Sequence, residues 1–197
     1  MRYSAEHKSQ SRNKVLMAAA KAIRQQGTAA VSVAAVMSDA GMTHGGFYAH
    51  FSSREALIAE SVTCMFDEQR EKARAMLSDT DPVKGITAWL EMYLSLSHVQ
   101  HPERGCPLPL LSGEIARLSD DARLRFNQGR KAMVDMIAAP LERLGCPDPV
   151  KQSQSLIAEI LGAVSLARLA QDDNEALDIL STSKASLYGR LGLIPGR

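Results

Sequence analysis

Ser32-Val33-Ala34-Ala35-Val36-Met37-Ser38-Asp39-Ala40-Gly41-Met42-Thr43-His44-Gly45-Gly46-Phe47-Tyr48-Ala49-His50-Phe51 reads as two short helices joined by a glycine-centred turn. Ser32 is placed to cap the first, Val33 to Ala40. Gly41 supplies the left-handed backbone that ends it. Thr43 is placed to cap the second, His44 to about His50. Ala35, Val36, Met42, Phe47 and Phe51 fall on the side that buries, which turns Thr43, His44, Gly45 and Tyr48 outward.

Those outward residue types suit a nucleic-acid surface. A helix N-terminus favours phosphate, and the hydroxyls of Ser32 and Thr43 extend its donor array. Tyr48 offers a hydroxyl to a phosphate and a ring to a sugar or a thymine methyl. His44 is within reach of a base edge, and Arg54 starts the next helix in position for a phosphate.

Charge supports the same segment. Residues 1–54 hold seven Lys and Arg against two acidic side chains, a net of +5. The whole chain carries only +1, so the remainder is mildly acidic at −4. Lys8, Arg12 and Lys14 could approach the DNA backbone or an adjacent minor groove.

Outward from this segment the chain reads as helix throughout. Val15, Leu16, Ala19, Ala22 and Ile23 recur at helical spacing before Gly27. After Phe51, Ser52 and Glu55 form a possible capping box for a long helix to about Ser78. Pro82 opens another to about His98, and a polar loop follows to Pro107. Further helices are expected over 108–118, 120–144 with a kink at Pro140, 151–170 and 174–191. No sustained alternation or hairpin signal is present. The expected fold is all-α, about nine helices: a three-helix DNA-binding domain over 1–52 and a larger helical bundle over 53–197.

The stretch Ala40 to Leu57, with Phe47-Tyr48-Ala49-His50-Phe51 followed by Ser53-Arg54-Glu55-Ala56-Leu57, resembles the N-terminal domain of TetR-family regulators. The resemblance covers roughly residues 11–60. It implies a homodimer on double-stranded DNA, each reading helix in a major groove, with palindromic half-sites about one turn (~34 Å) apart. It implies backbone or base contacts from Ser32, Thr43, Tyr48 and His50, and a phosphate contact from Arg54. Gly45-Gly46 leaves two reading positions without side chains, so discrimination rests on few groups, on backbone approach or on DNA shape. The resemblance also assigns effector binding and dimerisation to the bundle over 53–197, and implies a repressor that a small apolar molecule, or a thiol modification, releases.

The rest of the chain fits an effector body. Met65, Phe66, Trp89, Tyr93, Cys106, Leu110 and Phe126 are the candidate pocket residues, since Met and lone aromatics suit an adaptable apolar site. Each also fits plain core. Gly105-Cys106-Pro107-Leu108 resembles a segment of one TetR subgroup, some members of which sense electrophiles or oxidants through a thiol. A cysteine just before a helix, two residues from Arg104, is expected to have a lowered thiol pKa; the alternative is a small buried residue at a loop end. The last two helices carry more apolar positions than one packing face needs, which suits a dimer interface.

Other functions find less support. His98, His101, Glu103 and Cys106 form one cluster of catalytic residue types, but all lie in a single loop with no second supporting element. An enzyme is not expected, nor a cofactor or metal; three cysteines without a C-x-x-C spacing argue against zinc. A helical protein-interaction module would not need the Ser32–Arg54 constellation. With no signal-peptide core and no apolar run of membrane length, the expected place is the cytoplasm.

Overall fold

A computed structural model describes residues 2–193, and among them every regular element is helical. The elements are α1 (Arg2–Gln26), α2 (Val33–Asp39), a 3-10 segment (His44–Ala49), α3 (Arg54–Leu77), α4 (Pro82–Tyr93), α5 (Leu96–Gln100), α6 (Pro107–Leu111), α7 (Asp120–Arg143), α8 (Pro149–Ala167) and α9 (Asp173–Leu191). Two further 3-10 turns, Pro102–Arg104 and Ile115–Arg117, flank α6.

Local chemistry accounts for most boundaries. Gly27 and Gly41 adopt φ of +79° and +71°, the left-handed conformation that closes α1 and α2. Asp81 and Asp172 accept backbone N–H bonds at the starts of α4 and α9.

Several boundaries differ from the sequence expectation. Helix α1 begins at Arg2, not near Ser11, although Glu6 to Gln10 are exposed. These turns extend a helix already nucleated downstream. Ser53, not Ser52, caps α3, accepting from the Ala56 N–H at 3.0 Å. Helix α4 stops at Tyr93 because Ser95 starts α5, its hydroxyl accepting from the His98 N–H at 3.1 Å. Helix α6 ends at Leu111, short of the expected Leu118. Helix α7 continues through Pro140 to Arg143.

Helix α3 is the spine. It packs along α7 on one side and α1 on the other, while α7 packs on α8 and α8 on α9. A single buried cluster runs from Val15 in α1 through Phe47, Met65, Trp89 and Met133 to Leu187 in α9. Gly129 of α7 admits the Phe66 ring so closely that a Cβ there would lie 2.3 Å from it.

Candidate DNA-reading surface and apolar cavity

The reading segment is held from behind by aromatic packing. Phe47 and Phe51 are buried, with ring centroids 5.8 Å apart, and Met37 lies fully buried beside them. Burying Phe47 turns its neighbour outward: Tyr48 is 72% exposed and meets Phe47 edge-on at 5.1 Å. Ser32, Thr43, His44 and Gly45 are likewise exposed, so with Tyr48 five of the seven candidate DNA contacts are open to solvent. The Thr43 hydroxyl makes no capping bond, which leaves it available. Ser32 holds the Ala35 N–H only at 3.5 Å. A Cβ at Gly45 would meet nothing within 4 Å, so the fold does not require glycine there.

His50 and Arg54 stand differently. His50 is half-buried beside Phe51, and its Nδ1 has no hydrogen-bond partner. Arg54 donates from Nε to the Val31 carbonyl at 2.7 Å, and from Nη2 to the Thr28 and Ala29 carbonyls at 2.6 and 3.1 Å. It therefore pins the loop between α1 and α2. Arg12 is also engaged, pairing with Glu60 and lying 4.6 Å over the Phe51 ring, whereas Lys8 and Lys14 are exposed.

Inside the body, a small apolar cavity of about 20 Å³ lies between α4, α7 and α8, closed by the start of α6. Trp89, Tyr93 and Cys106 line it, joined by Met133, Ile157 and Ile160. The other sequence candidates lie elsewhere. Met65 is buried in α3, Phe66 meets Phe126 edge-on at 5.5 Å, and Leu110 is half-buried against the core.

The environment of Cys106 overturns the expected lowered pKa. Burial pushes its thiol up to about 11, outweighing the Leu108 backbone N–H, the neighbouring Tyr93 hydroxyl and the more distant charges of Arg24 and Arg168. Arg104, invoked as the activating cation, has a largely exposed side chain. Burial also raises the Tyr93 hydroxyl well above its usual range. His98 packs 5.0 Å from the Tyr93 ring; burial, then the charges of Arg168 and Lys72, pushes it down to about 4. It is neutral at pH 7.

Two functional elements escaped the sequence reading. Arg168, at the end of α8, buries its Nε and Nη2 without a partner, and burial lowers its pKa. The sequence signal was one cation ending an apolar helix. Glu114, just past α6, accepts from the Thr28 N–H at 2.9 Å and the Thr28 hydroxyl at 2.5 Å. It thereby joins the segment after the cavity to the loop that Arg54 pins. No local sequence signal announces a contact across 86 positions.

No helix among the described residues is long and apolar enough to cross a membrane. No group of three His, Cys, Asp or Glu among them could hold a metal ion.

The profile for "Bacterial regulatory proteins, tetR family" matches residues 15–61, the segment that builds the reading surface. The chain is similar to the HTH-type transcriptional regulator LmrA of Bacillus subtilis (strain 168), with 30% identity over 176 residues, covering 87% of this chain and 93% of that protein. It is also similar to the HTH-type transcriptional repressor NemR of Escherichia coli (strain K12), at 23% identity over 75% of this chain and 78% of that one. The fold matches the crystal structure of reduced E. coli NemR with a TM-score of 0.80, at 20% identity over 91% of this chain and 96% of that chain. With its exposed reading face and a 30% identical regulator matched along nearly its whole length, this chain belongs to the TetR family of DNA-binding transcriptional regulators.

Proposed function

We propose that this regulator is a repressor that binds a palindromic operator as a homodimer and leaves it when a small molecule, or a thiol modification, acts on the body. The observation that carries this reading is the exposed face of Thr43, His44, Gly45 and Tyr48 set on a buried Phe47–Phe51 anchor. Residues 1–52 are the DNA-binding unit and 53–197 the effector and dimerisation unit. Thr43, Tyr48 and Ser32 contact the backbone, and His44 with the open Gly45 backbone approaches base edges. His50 supports the reading segment from its half-buried position, and Arg54 presents to phosphate whatever its three carbonyl bonds leave free.

Exposed apolar side chains at Leu166, Leu169 and Leu177 support dimerisation through α8 and α9, because such a patch is costly in water. In this reading Trp89, Tyr93 and Cys106 form the effector site, and the likeness of Gly105-Cys106-Pro107-Leu108 to a segment of one TetR subgroup supports a thiol-bearing response. With its thiol held protonated and buried, Cys106 reacts only after the cavity opens.

An electrophoretic shift with the DNA flanking the protein's own gene tests this reading. No retarded complex with any intergenic fragment at low salt would sink it. Where a complex forms, Tyr48→Ala weakens all sequences alike, whereas His44→Ala alters base preference. Equal effects from the two variants would refute that division of labour.

A further inference from the structure

The cavity is apolar in its walls, yet unmet polar groups surround it. Trp89 and Tyr93 are 1% and 3% exposed, and both line the cavity. The Trp89 Nε1–H lacks a hydrogen-bond partner, and the Tyr93 hydroxyl has only the weak acceptor sulfur of Cys106 beside it, outside good hydrogen-bond geometry. His98, stacked on Tyr93, has a buried Nε2 that is also unpartnered. Arg168, at the end of α8, is not itself a wall of the cavity but lies at its Cys106 end. Its Nη2 lies 3.4 Å from where a Cβ on Gly105 would stand, next to Cys106. Its Nε and Nη2 are buried and unpartnered, and no described carboxylate pairs with it. A half-buried guanidinium with two buried, unpartnered nitrogens and no counter-charge is costly, and so is each orphaned donor. The unmet groups are a guanidinium, an indole N–H, a phenol and an imidazole. All four can donate to an oxygen anion, the imidazole through whichever nitrogen holds its proton, and the guanidinium pairs with a carboxylate in bidentate fashion.

We infer that the effector is a small organic acid whose carboxylate takes the Arg168 guanidinium, with donation from Tyr93 and Trp89, while its apolar body lies against Met133, Ile157 and Ile160. This deepens, and rests on, the effector-responsive reading above. The carboxylate supplies the missing counter-charge, and the apolar body replaces the free space between α4, α7 and α8. At about 20 Å³ the cavity holds one water-sized molecule, so such an acid binds only by widening it. A neutral amide of the same body gains the apolar contacts but leaves the guanidinium unpaired.

Trp89 is the single tryptophan of the chain, so its emission reports the cavity without any DNA present. The full-length protein is titrated at pH 7.5 with phenylbutyrate and with octanoate, each beside its primary amide. The acids should change Trp89 emission saturably and bind about tenfold or more tighter than the amides. Arg168→Gln should erase that preference by weakening the acids far more than the amides, and Tyr93→Phe should reduce it by about threefold. Arg168→Lys, which keeps the charge, should retain most of the preference, and circular dichroism checks that each variant is folded. Equal binding of acids and amides would overturn the inference. So would an acid preference that survives Arg168→Gln, or no emission change up to about 10 mM of either acid. A parallel gel shift separates the two readings. If the protein binds no DNA, the regulator reading fails while the titration still decides the acid site. If it binds DNA and acids behave as amides do, only the acid site falls.

Discussion

Glu114 is the side chain whose removal most directly tests the link between body and reading head. Its carboxylate accepts from the Thr28 N–H at 2.9 Å and from the Thr28 hydroxyl at 2.5 Å. Thr28 is buried, so water does not readily replace the lost partner. Glu114→Ala therefore orphans a buried N–H and a buried hydroxyl, both previously bonded to a charged acceptor. The worked cost is about 2–3 kcal/mol, which for a chain of this size lowers Tm by roughly 5–10 °C. Glu114→Gln keeps a carbonyl acceptor and loses only the charge assistance, so it should cost about 1 kcal/mol. Urea denaturation of the three proteins measures these differences. Hydrogen exchange locates them: the Thr28 amide should exchange faster in Glu114→Ala, and amides within α8 should not. A Glu114→Ala protein within about 0.5 kcal/mol of the parent, with unchanged Thr28 protection, would refute the clasp.

Three further outcomes follow from the packing and the charges. Gly129→Ala places a methyl 2.3 Å from the buried Phe66 ring; overpacking of about 1–3 kcal/mol exceeds the ~1 kcal/mol helix gain, so the denaturation midpoint should fall. Arg54→Ala removes three carbonyl bonds from the loop between α1 and α2, and should cost about 2 kcal/mol and weaken DNA binding; Arg54→Lys should restore little, as one ammonium cannot reach both ends of that loop. Cys106 has a folded-state pKa of about 11 against an ordinary value near 9, so burial penalises the thiolate. Its stabilising effect is complete below pH 9 and is lost as pH rises through 11; Cys106→Ala should flatten the fall in stability over that window, measured by thermal melts.

The parts legible in the sequence were those governed by near neighbours. Gly27 and Gly41 announced their left-handed turns, and the Phe47–Phe51 spacing announced which face buries and therefore that Tyr48 is exposed. Helix ends were less legible where competing hydroxyls lie side by side: Ser52 and Ser53 both satisfy the cap pattern, and only the structure selects Ser53. Contacts set by tertiary packing were not legible. Arg54 looked free for phosphate because its sequence gives no sign that the Thr28–Val31 carbonyls converge on it. Cys106 looked activated by its helix N-terminus and Arg104; its actual depth below the surface, a property of α4, α7 and α8 together, reverses the shift.

The same tertiary placement offers a physical route from the proposed effector cavity to the reading segment. A ligand larger than one water must displace a wall. Helices α4, α7 and α8 are 12, 24 and 19 residues long, and each buries several core side chains. Helix α6, five residues beginning directly after Cys106, is the shortest wall. Its upstream flank is tied to α3, where Gln69 donates to the Arg104 carbonyl at 2.9 Å, so that flank resists movement. Its downstream flank carries Glu114, and displacement there pulls on Thr28 in the loop ahead of the reading unit. Glu114→Ala should then have a consequence that stability alone does not produce: the operator is still bound, but ligand saturation no longer releases it. Ligand titration of the preformed complex measures this. Release from the Glu114→Ala complex at the parent's ligand concentration would show that the signal travels along α3 instead.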